Sequence, residues 1–183
     1  MSNAILQARA GGAVQRCHTV RHQGSYSNAE HSWGVAMLLL QLYPDQWHLL
    51  KYALVHDIPE AVTGDVPATV KKNAVDEHDF DDFILEQWGL PQLNELIDRD
   101  RHILKSCDKL ELWLWATEQL AAGNFFINEV IENLERWFKE PGYLHPTALA
   151  FWKEARLHQV IPNRVGQYQL MKEQYDNSRT SRG

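Results

Sequence analysis

Residues Leu49 to Val55 form a mostly apolar run that ends abruptly in His56 and Asp57, with Pro59 two positions beyond. Without flanking turn residues, such a run reads as a buried helix rather than a strand. Proline removes one backbone donor and crowds the preceding turn, which predicts a kink or a new helical start near Ile58. A buried helix that closes on an imidazole and a carboxylate must find partners for both, because burying them uncompensated is costly. Fold and chemistry are therefore constrained at the same place.

Helical signals recur along the rest of the chain. Ser27-Asn28-Ala29-Glu30 has the form of a capping box ahead of an apolar stretch, and predicts a helix over Asn28 to Tyr43. Thr63 to Pro67 reads as a loop, with Pro67 placed to open a short helix through Lys71. Asp76 to Trp88 is amphipathic and stops at Gly89, with Pro91 beyond. Pro91 to Ala122 keeps helical periodicity over a span long enough to predict a bend or break. Asn128 to Lys139, Thr147 to Gln159 and Gln167 to Tyr175 supply three more helices. The expectation is an all-α protein, a single-domain helical bundle over residues 1–176, with a polar disordered tail over 177–183.

Charge and composition exclude some functions. A net charge of −6 argues against a broad grip on polymeric nucleic acid, although a few local cations still admit a small anionic substrate. No run reaches the roughly 18 apolar residues of a membrane span; Val35 to Tyr43 is broken by Gln41 and followed by Pro44. Cys17 and Cys107 form no Cys-x-x-Cys pair, and with no secretory signal they read as reduced thiols of a cytoplasmic protein (the host's cytoplasm for a phage-encoded one). Of seven tryptophans, several in the later helices (Trp113, Trp115, Trp137 and Trp152), most read as core residues and some as lining a subunit contact, hence an expected homo-oligomer.

Four ionisable residues stand in otherwise apolar surroundings. His31 lies in the first turn of its helix ahead of Val35, Leu38 and Leu39; His56 and Asp57 close the run already described; Asp108 has Leu104 and Leu112 one turn away on either side. Taken singly, each has an ordinary explanation: a core histidine, an Asp57 that caps the next segment, an Asp108 paired with Lys105 or Lys109. Taken together, two imidazoles and two carboxylates suit one divalent ion with positions left for water and substrate. The segment from His56 to Pro67 adds Glu60, one turn from His56 if the helix persists, and Asp65, which follows Gly64 and can fold back. These are two spare carboxylates of the kind needed for water activation and leaving-group protonation.

The pattern His31 … His56-Asp57-x-x-Glu60-x-x-Thr63-Gly64-Asp65-x-Pro67 … Asp108 resembles the HD-domain phosphohydrolases. Within that superfamily it is similar to the YfbR-like 5′-deoxynucleotidases and the small phage-type dATP triphosphohydrolases, over roughly residues 14–120. The resemblance implies that His31, His56, Asp57 and Asp108 ligate one divalent ion: cobalt, manganese, zinc or iron, or else magnesium. It implies that Glu60 orients or deprotonates the attacking water and that Asp65 assists the leaving oxygen. Arg16-Cys17-His18-Thr19 matches the family's N-terminal arginine motif, so Arg16, with His18, is read as substrate-binding. Lys71 falls where the phage-type enzymes carry a phosphate-binding lysine. The position after the arginine, often tryptophan in the deoxynucleotidases, is Cys17.

Arg16, Arg21, Lys71 and Lys72 flank the expected site, and four cations exceed the need of a monophosphate. The leading expectation is therefore hydrolysis of a dATP-like deoxynucleoside triphosphate to deoxynucleoside and triphosphate. Release of phosphate from deoxynucleoside monophosphates is the nearest alternative. A non-catalytic, metal-loaded nucleotide-binding module is an alternative of another class, although a pure binder needs neither Glu60 nor Asp65.

Overall fold

A computed structural model of the chain describes residues 2–66, 77–158 and 164–180. Among them the fold is all-α, in two compact units, Met1–Trp152 and Lys153–Gly183. The first unit carries α1 (Ser2–Gly11), α2 (Asn28–Leu42), α3 (Leu49–Val55), α4 (Glu60–Thr63), α5 (Glu77–Gln87), α6 (Asp98–Ala121) and α7 (Asn128–Lys139). Short 3-10 turns at Leu93–Glu95 and Phe125–Ile127 precede α6 and α7. Helix α8 spans Pro146–His158, and the second unit contains α9 (Arg164–Thr180).

Local sequence accounts for these boundaries. Ser27 Oγ accepts the Glu30 amide at 3.3 Å, and the Glu30 carboxylate accepts the Ser27 amide at 2.7 Å, so the capping box forms and starts α2 one residue later. Helix α3 does not continue through Pro59. Instead the chain tightens, with Ile58 donating to the Val55 carbonyl and Glu60 to that of Asp57, before α4 begins. The long 91–122 span breaks as expected: extended backbone at Leu96 and Ile97 separates the 3-10 turn from α6. Residues 67–76, including the helix expected over Pro67 to Lys71, lie outside the described residues.

Helix α2 packs against both α3 and α6. Their facing side chains, Val35, Leu39, Leu49, Ala53, Ile103, Cys107 and Leu110, are almost wholly buried. At about 1.5–3 kcal/mol for each large aliphatic side chain, this contact dominates the core. A second cluster joins Tyr26, Trp115, Ala116 and Ile127, with Tyr26 stacked on Trp115 at 4.1 Å between centroids.

Helix α9 runs through Thr180 and so takes in Asn177; residues 181–183 lie outside the described residues. Most of the later tryptophans are core residues, as expected: Trp113, Trp115 and Trp152 are buried and Trp137 is half-buried, whereas the solvent-facing indoles are those of Trp33 and Trp47.

Candidate metal centre and active site

The crossing of α2, α3 and α6 brings the four predicted ligands together. His31 leaves the first turn of α2 fully buried; His56 and Asp57 follow the last turn of α3; Asp108 projects from the middle of α6. His31 Nε2 lies 3.3 Å from His56 Nε2 and 3.1 Å from Asp108 Oδ1. Asp57 Oδ2 lies 3.2 Å from His56 Nε2 and 3.5 Å from His31 Nε2. Ligand atoms of His31, His56 and Asp108 are all within 4.8 Å of one another.

The hydrogen bonds test whether these residues suit a cation. His56 Nδ1 faces the Ala53 carbonyl at 2.9 Å, and His31 Nδ1 faces the Glu111 carboxylate. Both oxygens only accept, so each imidazole donates from Nδ1 and turns Nε2 toward the other. Two Nε2 atoms and two carboxylates converge on one point, and although Arg16 and Lys109 offset part of the negative charge, the arrangement favours a further cation between them, a proton or a metal ion. The donor set fits a borderline divalent ion, with the Nδ1 contacts fixing both tautomers.

The surrounding charges are arranged to match. Burial disfavours the charge on Asp57, but His56 and Arg16 beside it pull it down to about 2. Burial likewise opposes ionisation of Asp108, yet Lys109, 3.0 Å from Oδ2, and His31 hold it well below the usual carboxylate range. Burial also opposes charge on His31, but hydrogen bonds to Asp108 and Glu111 raise it to about 9, so a proton and a metal compete for the same nitrogen.

The remaining predicted residues sit around this cluster. Glu60 is buried, and burial together with the Asp57 charge raises it to about 7. Asp65 turns back as expected, because Gly64 takes φ 73°, a left-handed value that favours glycine. Its Oδ2 accepts the Cys17 amide at 2.8 Å and lies 3.6 Å from His18 Nδ1. Cys17 itself has φ 53°, and this strained residue aims its amide at Asp65. Arg16 is pinned by a bridge between Gln15 and Ser27; its Nη1 pairs with Asp57, while its buried Nε has no hydrogen-bond partner among the described residues. Arg21 instead stacks over the Phe126 ring at 5.5 Å. Lys71 and Lys72 lie outside the described residues.

Several contributors were not anticipated. Glu111 accepts from both His31 and Tyr26, the latter at 2.5 Å; burial and Glu111 push the Tyr26 phenol far up, so it remains a donor. Asn28 joins Arg16, Asp57 and Glu60. A signal existed for both, since Glu111 is three residues after Asp108 and Asn28 three before His31, which places each on the ligand's helix face.

An HD domain family model matches residues 13–131, a span that contains this entire cluster. The chain belongs to the HD-domain family of phosphohydrolases. The HD-domain chain is 30% identical over 166 residues to a dATP triphosphohydrolase of Salmonella phage PMBT28, covering 77% of this chain and 81% of that protein. Among solved structures it is similar to the PH0347 protein of Pyrococcus horikoshii OT3, with a TM-score of 0.63, 25% identity, and coverage of 87% of this chain and 97% of the other. The HD phosphohydrolase DatZ of cyanophage S-2L, solved with dA and one catalytic Zn²⁺ ion, shares the fold at a TM-score of 0.61 and 19% identity, covering 85% and 96% of the two chains. No described helix is long and apolar enough to cross a membrane.

Proposed function

We propose that this HD-domain protein hydrolyses the 5′-phosphoester of a dATP-like deoxynucleoside triphosphate, releasing deoxynucleoside and triphosphate. The observation that carries the reading is the buried convergence of His31, His56, Asp57 and Asp108 beside Glu60 and Arg16. The choice of a triphosphate leans on the 30% identical phage dATP triphosphohydrolase. His31, His56, Asp57 and Asp108 hold one divalent ion. When bound, such an ion acts as a Lewis acid toward phosphoryl oxygen and acidifies water.

The chain's own groups do the rest. Arg16 and His18 bind phosphate or sugar oxygens, and Lys71 binds the outer phosphates. Glu60 orients the attacking water and takes its proton at a carboxylate oxygen. The water oxygen bonds to the α-phosphorus as the bond to O5′ breaks, and Asp65 supplies the proton that O5′ needs to leave as a hydroxyl.

Incubation with each dNTP and dNMP plus Mn²⁺ or Co²⁺, with products resolved by anion exchange, tests this. Triphosphate from a dNTP is the expected product, and in ¹⁸O water the label enters the phosphate chain. Phosphate from dNMPs alone shifts the assignment to a 5′-deoxynucleotidase, and tight nucleotide binding without turnover leaves a binding module. We also propose a homo-oligomer, supported by the exposed Trp33 and Trp47; a monomeric mass by light scattering would remove it.

A further inference from the structure

Asn28 occupies the first turn of α2 and is 1% exposed. An amide buried so completely must have its donors and acceptor met, and here each is met by the active site. Nδ2 donates to Glu60 Oε2 at 2.9 Å and to the Asp57 carbonyl at 3.0 Å, while Oδ1 accepts from Arg16 Nη1 at 3.2 Å. The capping box at Ser27 anchors the turn from which Asn28 projects, and the Asn28 amide donates to the Val14 carbonyl at 3.0 Å, tying the same residue to the Arg16 segment. Helix α4 is only one turn long, so Glu60 gains little rigidity from its own helix.

We infer that Asn28 is a positioning residue that fixes the Glu60 carboxylate, and through it the direction of proton transfer, relative to Asp57 and Arg16. The inference rests on the reading of Glu60 as the base. Its chemistry is asymmetric. Asn28 presents N–H groups to Glu60 and an oxygen to Arg16, an orientation dictated by its neighbours, since a carboxylate cannot donate and a guanidinium cannot accept. Asn28→Asp keeps the size and the oxygen for Arg16, but sets a carboxylate against Glu60 and the Asp57 carbonyl.

The test is a mutant cycle on dATP with Co²⁺, measuring kcat and KM separately and metal content by elemental analysis. Asn28→Asp is expected to lower kcat by about 10- to 100-fold, the usual cost of removing an outer-shell partner, with metal content unchanged and KM little moved. In the Glu60→Gln background the same change is expected to cost much less, because the amide introduced at position 60 can donate to the carboxylate introduced at position 28 and only the contact to the Asp57 carbonyl is still lost. Asn28→Ala, a smaller perturbation of charge, is expected to show the same loss of effect once Glu60 is replaced, and serves if Asn28→Asp does not fold. Equal losses in both backgrounds, or a change confined to KM, would overturn the positioning role while leaving Glu60 as the base. An enzyme indifferent to Glu60→Gln, or inactive on every nucleotide, would overturn the underlying reading and this inference with it.

Discussion

Replacing Glu60 with glutamine separates its cost to the fold from its use in the reaction. Glu60 is 7% exposed, and burial plus the nearby Asp57 charge lifts its carboxyl from its ordinary 4.5 to about 7. That difference corresponds to roughly 3 kcal/mol against the charged form. Its folded value lies above its unfolded one, so the folded state holds this proton more tightly. The contribution of Glu60 to stability is therefore fully present below pH 4.5 and is lost as pH rises through 7. Between pH 5.5 and 8.5 this one group removes about 2 kcal/mol from the metal-free protein. Glu60→Gln abolishes that dependence, and any hydrogen bond lost to Asn28 is a constant offset at both values. Urea unfolding of EDTA-treated wild type and variant at pH 5.5 and 8.5 reads the difference, with the variant gaining about 2 kcal/mol on wild type across the interval. In the loaded enzyme the same substitution should lower kcat about 10²- to 10⁴-fold, the usual worth of a positioned base. A stability difference that stays flat with pH would refute the burial argument, and near wild-type turnover would refute the assignment of the base.

Further outcomes follow from the proposed reaction and from the site. Arg16→Ala should weaken substrate binding by about 1.5–3 kcal/mol, the value of a charge-assisted contact, read as a higher KM; Lys71→Ala should impair dNTP turnover more than dNMP turnover, and equal losses on both substrates would count against an extended phosphate site. A Cβ built on Gly34 would sit 2.5 Å from Glu111 Cγ and 2.8 Å from its Oε1, so Gly34→Ala must displace the carboxylate that orients His31. Gly34→Ala and Glu111→Gln should each weaken Co²⁺ binding about 10- to 100-fold, seen by titrating the visible spectrum, and an unchanged affinity in both would leave Glu111 no part in orienting the ligand.

Much of this was legible in the residues because the strongest signals were physical conflicts. An imidazole or carboxylate in an apolar helix has few solutions, which is why His31, His56 and Asp108 could be singled out and do converge. The capping box at Ser27 and the break at Pro59 were equally readable, since each depends on contacts within a few residues. Asn28 and Glu111 escaped notice because a polar residue in a first helical turn, or a glutamate three residues from another acid, has an everyday explanation on a solvated face. Their roles depend on what α1–α2, α3 and α6 place opposite them, which local periodicity does not contain. Which tryptophans are core was not legible one by one, since an aromatic count is blind to what covers each ring, as Tyr26 from the loop before α2 covers Trp115.

The central claim is that one divalent ion is held where α2, α3 and α6 cross. Elemental analysis of the purified protein beside His56→Ala and Asp108→Ala, with folding verified by circular dichroism, tests it most directly. Wild type should carry one ion per chain and both variants essentially none, with hydrolysis lost in step. Full metal content in a folded His56→Ala protein would place the ion elsewhere and contradict the account.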